Sequence, residues 1–182
     1  MKIVIISGSP RQGSLSHRIA LHLQQRLEKL SEHEVKTVSL QESALPPIQT
    51  VWSDVEKAPE EHKPLAKTIF EAQAFILVTP EYNGGYSPAM KNLLDHFPKQ
   101  NHKPFGLVSS SNGAMGGMRA AMQTQQLVAA LFGILSPYML VTPLVDKKFD
   151  EQGNLIEPSF QRSIDNFVAE FFWLADKLVQ AQ

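Results

Sequence analysis

The sequence predicts an α/β domain built on a doubly wound parallel sheet, and three observations carry that expectation. Apolar runs of strand length alternate along the chain with segments of helical periodicity. Two of the runs, residues 3–6 and 74–79, are continuous rather than alternating, as in strands buried on both faces. Five strands with intervening helices, joined by right-handed crossovers, place helices on both faces of one sheet.

Taken in order, the first strand is Ile3-Val4-Ile5-Ile6, followed by a polar loop and a helix beginning near His17. Ile19, Leu23, Leu27 and Leu30 recur along that helix at helical spacing. A second strand covers residues 35–39. The segment 41–64, rich in Pro, Glu and Gln, reads as a long surface loop. The third strand, 74–79, leads through a Gly-containing loop into a helix marked by Met90, Leu93, Leu94 and Phe97. Strands four and five are expected at 105–109 and 138–141. Residues 146–158, with Glu151-Gln152-Gly153-Asn154, predict a turn or short hairpin. The last helix carries Phe160, Ile164, Phe167, Val168, Phe171, Leu174, Ala175 and Leu178. Residues 1–182 read as a single domain, with no repeat.

Composition narrows the function classes. The chain has 182 residues, 43% hydrophobic and 19% charged, enough for one sizeable core. A net charge of −1 gives no electrostatic case for nucleic acid or an anionic membrane. Cysteine is absent, which removes disulfides, iron–sulfur ligation and thiol nucleophiles. No apolar run approaches the ~20 residues of a membrane span. Strand residues begin at Lys2 with no visible leader, so a cytoplasmic protein is expected.

The chemistry concentrates in three loops. The first strand runs into Ser7-Gly8-Ser9-Pro10-Arg11-Gln12-Gly13-Ser14-Leu15-Ser16. This loop lies at a strand carboxyl end, where open parallel sheets bind ligands. Hydroxyls, a guanidinium and a helix N-terminus aim at one point, the makings of an anion cradle. An ordinary strand–helix turn with Ser16 as N-cap is the alternative. The loop matches neither G-x-x-x-x-G-K-[ST] nor G-x-G-x-x-G. Serines and arginine suit a terminal phosphate, as in FMN, better than a pyrophosphate, which needs glycine for close backbone approach.

The second loop is Thr79-Pro80-Glu81-Tyr82-Asn83-Gly84-Gly85-Tyr86-Ser87-Pro88. It offers an aromatic wall, backbone groups for the edge of a planar heterocycle, and Pro88 at a helix start. A tight turn before a helix is the alternative. The third loop, Ser109 to Ala120, contains Gly113, Gly116, Gly117 and Arg119; its glycines would let a ring edge approach the backbone.

On these residues the chain resembles the NADPH-dependent FMN reductase family, the flavodoxin-like flavoproteins that include bacterial quinone, chromate and azo-dye reductases. The resemblance rests on Gly8-Ser9-x-Arg11-x-x-Ser14-x-Ser16, on Pro80-Glu81-Tyr82-Asn83-Gly84 with Lys91-Asn92, and on Ser109 with Gly116-Gly117-x-Arg119. It covers roughly residues 2–138. It implies a flavodoxin-like fold with strand order 2-1-3-4-5. It also implies that Ser9, Arg11, Ser14 and Ser16 bind the FMN phosphate and that Pro80, Glu81, Tyr82 and Asn83 form the bed of the ring. Ser109, Gly113 and Gly116 would then border its other edge or the ribityl chain. Ser16 stands where relatives often carry Asn, and His96 where Trp is frequent.

The function this implies is an FMN-dependent oxidoreductase. NADPH or NADH would give hydride to the flavin, and a quinone, flavin, chromate or azo acceptor would then take two electrons, by a ping-pong mechanism. Such chemistry needs no catalytic side chain, because the cofactor carries it. Rivals are a flavodoxin-type electron carrier, against which the near-neutral charge argues, and a flavin-binding regulator. The six histidines show no metal-ligand spacing and read as mostly surface residues, with His17 and His96 set apart by their positions near the loops. Met115, Met118 and Met122 read as core or dimer packing, or as the lining of a substrate entrance. Arg119 reads as an ion-pairing residue or an anion ligand. The resemblance implies a homodimer or homotetramer, with Met90, Leu94 and Phe97 offered as interface contacts.

Overall fold

The structure, a computed structural model, describes residues 1–180. Its strands are β1 (Lys2–Ser7), β2 (Glu34–Ser39), β3 (Ala74–Pro80), β4 (Pro104–Ser110), β5 (Ile134–Leu135) and β6 (Leu140–Thr142). Its α-helices are α1 (Leu15–Leu30), α2 (Lys63–Glu71), α3 (Pro88–Asp95), α4 (Met118–Ala130) and α5 (Gln161–Gln180). The sheet order is β2-β1-β3-β4, with β5 and β6 both pairing to the free edge of β4, and every pairing is parallel. This is the flavodoxin-like order 2-1-3-4-5, with the fifth strand in two pieces.

The break in the fifth strand corrects the expectation of one strand at 138–141. Leu135 is level with Phe105 and Leu140 with Val108, so residues 136–139 stand opposite only Gly106 and Leu107. Ser136 still donates its N–H to the Phe105 carbonyl at 2.7 Å. Pro137 has no N–H to continue the ladder, and the chain bulges before pairing again.

Strand alternation builds two cores on one sheet. Ile3, Ile5, Ile76, Val78 and Val108 point to one face and pack with Ile19, Leu23 and Leu27 of α1 and Phe167 and Phe171 of α5. Val4, Ile6, Phe75, Leu77 and Phe105 point to the other and pack with Ile69 of α2, Leu93 and Leu94 of α3, and Leu127 and Val128 of α4. Both faces are apolar, which is why the central strands read as continuous runs.

Two further expectations change. The segment between β2 and α2 is no simple surface loop: it carries two 3-10 turns, and Trp52 within it is 4% exposed. Trp52 packs its ring against His62, His96 and Phe97, and Asn92 of α3 clasps the segment through bonds to Leu45, Pro46 and Ile48. Met90, Leu94 and Phe97 are buried inside the subunit, so they are core residues and offer nothing to a partner. The hairpin expected near 151–154 is present as an isolated antiparallel bridge between Phe149 and Leu155. Among the described residues no helix is long and apolar enough to cross a membrane.

Candidate active site

The loops after β1, β3 and β4 meet at the carboxyl edge of the sheet and enclose a cleft of about 310 Å3. Its walls include Ser9, Arg11, Ser14, Ser16, Pro80, Glu81 and Tyr82, together with Gln12, Ser110, Ser111, Asn112 and Val145. The volume falls at the lower end of small-molecule sites.

The floor at one end is the N-terminus of α1. Ser14, not Ser16, occupies the N-cap position, yet its hydroxyl does not cap the helix. Ser14 Oγ lies 2.9 Å from Ser16 Oγ instead. The His17 N–H reaches the Ser14 carbonyl at 3.1 Å, but the N–H groups of Leu15 and Ser16 precede any intrahelical acceptor, so this end keeps its positive dipole toward the cleft. Ser9 is buried, and its Oγ accepts from the Arg11 N–H at 3.3 Å. Behind the loop, Ser7 Oγ lies 2.9 Å from His17 Nδ1, and burial pushes the His17 imidazole below its usual pKa, partly offset by Glu42. His17 thus has its ring engaged by Ser7 at the base of the first loop.

The second loop is a tight hairpin. Tyr82 and Gly85 exchange N–H to carbonyl bonds at 2.9 and 3.0 Å. Asn83 and Gly84 both have positive φ, 50° and 83°, the pair of conformations that an Asn-Gly turn supplies. Ser87 caps α3 by accepting from the Met90 N–H at 3.1 Å and donates its own hydroxyl to the Gly8 carbonyl. Pro88 at the first helical position completes that start as the sequence indicated. The first two loops are therefore tied together at their bases.

The Tyr82 ring forms a wall of the cleft, and the Arg11 guanidinium lies over it, 4.5 Å from the ring centroid. The Tyr82 hydroxyl is buried and has no hydrogen-bond partner among the described residues. Asn83 lies at the far side of Tyr82, on a neighbouring open groove with Tyr86, Lys91 and Asp95.

The third loop is placed differently from its sequence reading. Ser109 is buried, and its hydroxyl donates to the Gly116 carbonyl at 3.0 Å, away from the cleft. Gly116 is needed where the loop crosses β6: a Cβ there would lie 2.6 Å from the Pro143 nitrogen. Gly113 receives its turn from the Ser111 hydroxyl, 3.0 Å from its N–H. Ser109, Gly113 and Gly116 shape the loop, while Ser110, Ser111 and Asn112 reach the cleft wall. These wall residues carried a faint signal, a polar run at a strand carboxyl end.

The histidines are less exposed than expected: only His102 is an exposed residue. His96 is buried, its Nδ1 lies 2.7 Å from the Asn92 carbonyl, and its ring packs on Trp52, which makes it structural. Met115, Met118 and Met122 lie at the surface, outside both cores.

Comparison with known proteins agrees with this architecture. The family model for NADPH-dependent FMN reductase matches residues 1–142. The FMN-dependent NADPH-azoreductase of Staphylococcus saprophyticus is 30% identical over 158 residues, covering 83% of this chain and 82% of that protein. The NADPH azoreductase of Bacillus sp. (strain OY1-2) is 28% identical over 160 residues, covering 87% of this chain and 85% of its own. Among solved structures, the flavoenzyme NAD(P)H:(acceptor) oxidoreductase FerB of Paracoccus denitrificans aligns with a TM-score of 0.74 at 22% identity, over 97% of this chain and 98% of that one. With the sheet order, the converging loops and the matched residues in agreement, this chain belongs to the NADPH-dependent FMN reductase family of oxidoreductases.

Proposed function

We propose that the cleft holds one FMN, with its phosphate at the N-terminus of α1 and its ring against the hairpin of the second loop. One observation carries the reading: α1 opens into the cleft without a side-chain cap, and Ser14, Ser16 and Arg11 line that same cleft. An anionic group with several acceptor oxygens satisfies all of these donors at once. Ser9, Arg11, Ser14 and Ser16 would hold the phosphate. The Tyr82 ring in the cleft wall fits an aromatic ligand. Backbone around Pro80, Glu81, Tyr82 and Asn83 would contact the ring, with Ser110, Ser111 and Asn112 opposite. Bound FMN supplies two-electron transfer from NADPH or NADH to an acceptor of the quinone, flavin, chromate or azo class. The chain's own contribution is to anchor the phosphate, orient the ring and leave one face open to substrates.

That single bed implies alternation. NAD(P)H and acceptor would use the same open face in turn, and the products of the first half-reaction would leave before the second substrate enters. We propose further that the protein is a homo-oligomer, supported by the exposed methionines beside the third loop. The test is purification with an absorption spectrum, cofactor identification by chromatography, and initial rates over both substrates. FMN and parallel initial-rate lines are expected. FAD as the sole tight ligand overturns the cradle reading, and intersecting lines overturn the shared face. Bleaching by NADPH without a partner protein separates the enzyme from an electron carrier.

A further inference from the structure

Glu81 belongs by sequence to the ring-side loop, but its carboxylate is spent elsewhere. Its Oε2 accepts from the backbone N–H groups of Arg119 at 3.2 Å and Ala120 at 3.4 Å, on the first turn of α4. Those are the second and third helical positions, the two donors that an N-cap side chain normally satisfies. The α4 N-cap is Gly117, which has no side chain and caps nothing. It cannot be replaced by a capping residue at no cost: its φ is 82°, and a Cβ would lie 3.1 Å from both the Ser110 nitrogen and the Ser110 oxygen. The first turn of α4 also lacks an acidic residue of its own. Glu81 therefore provides, from a different loop, the cap that the local chain is barred from carrying.

The same residue is tied through its backbone, because the Glu81 N–H donates to the Ser110 carbonyl at 3.3 Å. The Arg119 guanidinium lies 3.5 Å from Oε1, but its side chain is 72% exposed and adds little. Glu81 itself is well covered and lines the cleft. One carboxylate thus ties the second loop to the helix that ends the third, beside the point where the two loops leave adjacent strands and both line the cleft.

We propose that Glu81 is a positioning residue that caps α4 from the neighbouring loop, thereby holding the third loop, whose Ser110, Ser111 and Asn112 line the cleft, at a fixed spacing from the second, and whose negative charge in the cleft lining lowers the reduction potential of the bound cofactor. The second clause rests on the FMN reading above. Reduction adds negative charge to the ring system, and a fixed carboxylate in the cleft lining opposes it.

Two variants separate cap from charge. Glu81→Gln keeps an oxygen acceptor for the α4 N–H groups and removes the charge. Glu81→Ala removes both. Hydrogen exchange on the protein without cofactor should show Glu81→Ala exchanging about tenfold faster at the amides of Arg119 and Ala120, and Glu81→Gln close to the parent. Unchanged exchange in Glu81→Ala would overturn the cap. With FMN bound, Glu81→Ala should weaken FMN affinity about tenfold, and Glu81→Gln should recover most of that affinity. The potential of Glu81→Gln should nevertheless shift to a more positive value, an effect that wall spacing alone does not produce. Parent-like affinity in Glu81→Ala would overturn the spacing role, and a parent-like potential in Glu81→Gln the charge role. Failure of the parent protein to bind FMN would sink the flavin reading itself and with it the charge role, while the exchange result decides the cap independently. If Glu81→Ala does not fold, Glu81→Gln together with Glu81→Asp, whose shorter side chain withdraws the carboxylate from the helix, decides the same points.

Discussion

The Arg11 guanidinium lies over the face of Tyr82 and lines the cleft, where the proposed phosphate would compete for it. A charge-assisted bond to phosphate contributes about 1.5–3 kcal/mol, against roughly 0.5–1 kcal/mol for an exposed cation–π contact. Arg11→Ala should therefore weaken FMN binding by about 1.5–3 kcal/mol and riboflavin binding by no more than about 1 kcal/mol. Equal losses by titration calorimetry would place Arg11 away from the phosphate. His22 is the second residue with a measurable signature. Burial holds its imidazole below the ordinary value of 6.5, the bond to the Gly153 carbonyl partly offsets this, and nearby Arg26 and Lys29 add to the lowering against Asp165. The unfolded chain then takes up a proton before the folded one does. Its contribution to stability is complete above pH 6.5 and is lost as pH falls below that value. The thermal midpoint should drop between pH 7 and pH 5, and His22→Gln should flatten the drop. His17 and His33 are lowered in the same direction, so part of the slope will persist. An identical slope in the variant would show that His22 takes no part.

At the scale of elements, the segment between β2 and α2 is held by one aromatic anchor. The Trp52 backbone N–H donates to the His96 carbonyl at 2.7 Å, and the Trp52 ring centroid lies 4.7 Å from that of His96 and 5.3 Å from that of Phe97. Truncating a buried tryptophan costs about 3–5 kcal/mol. Trp52→Ala should lower the unfolding free energy by that amount, read as a lower urea midpoint at unchanged slope, and should open residues 41–62 to limited proteolysis. A loss below about 1 kcal/mol would mean that the Asn92 clasp holds the segment without it. The same local logic explains the second loop: Asn-Gly meets the positive φ values of the tight turn that the sequence offered as an alternative reading.

For the molecule as a whole, the proposed association needs an apolar surface that the internal core leaves exposed. Met90, Leu94 and Phe97 do not supply it, because they serve the internal core. Met115, Met118 and Met122 are 62%, 36% and 51% exposed, and Met118 and Met122 share a face of α4 one turn apart. Clustered apolar exposure of this kind marks association surfaces more often than isolated exposure does. Light scattering at micromolar concentration should give a multiple of the 20.3 kDa chain, and Met118→Glu with Met122→Glu should reduce it to the monomer. A parent protein that is monomeric and fully active removes the oligomer, and an unchanged mass in the double variant moves the interface elsewhere.

By itself the sequence determined the order of strands and helices, the two-sided burial of the central strands, and the polar chemistry of the loops. Each is written locally, in side-chain periodicity, in Pro88 after Ser87, and in Asn83 before Gly84. Tertiary structure decided what the periodic residues face. Helical spacing marks an apolar stripe but not its partner, so Met90 and Met118 looked alike until one proved buried and the other exposed. It decided the split of the fifth strand, which depends on register against β4. It also decided the roles of Ser109 and Glu81, whose partners lie 7 and 38 residues away. A hydrogen bond formed across the sheet edge satisfies a donor that its own neighbours cannot reach, and no local pattern records it.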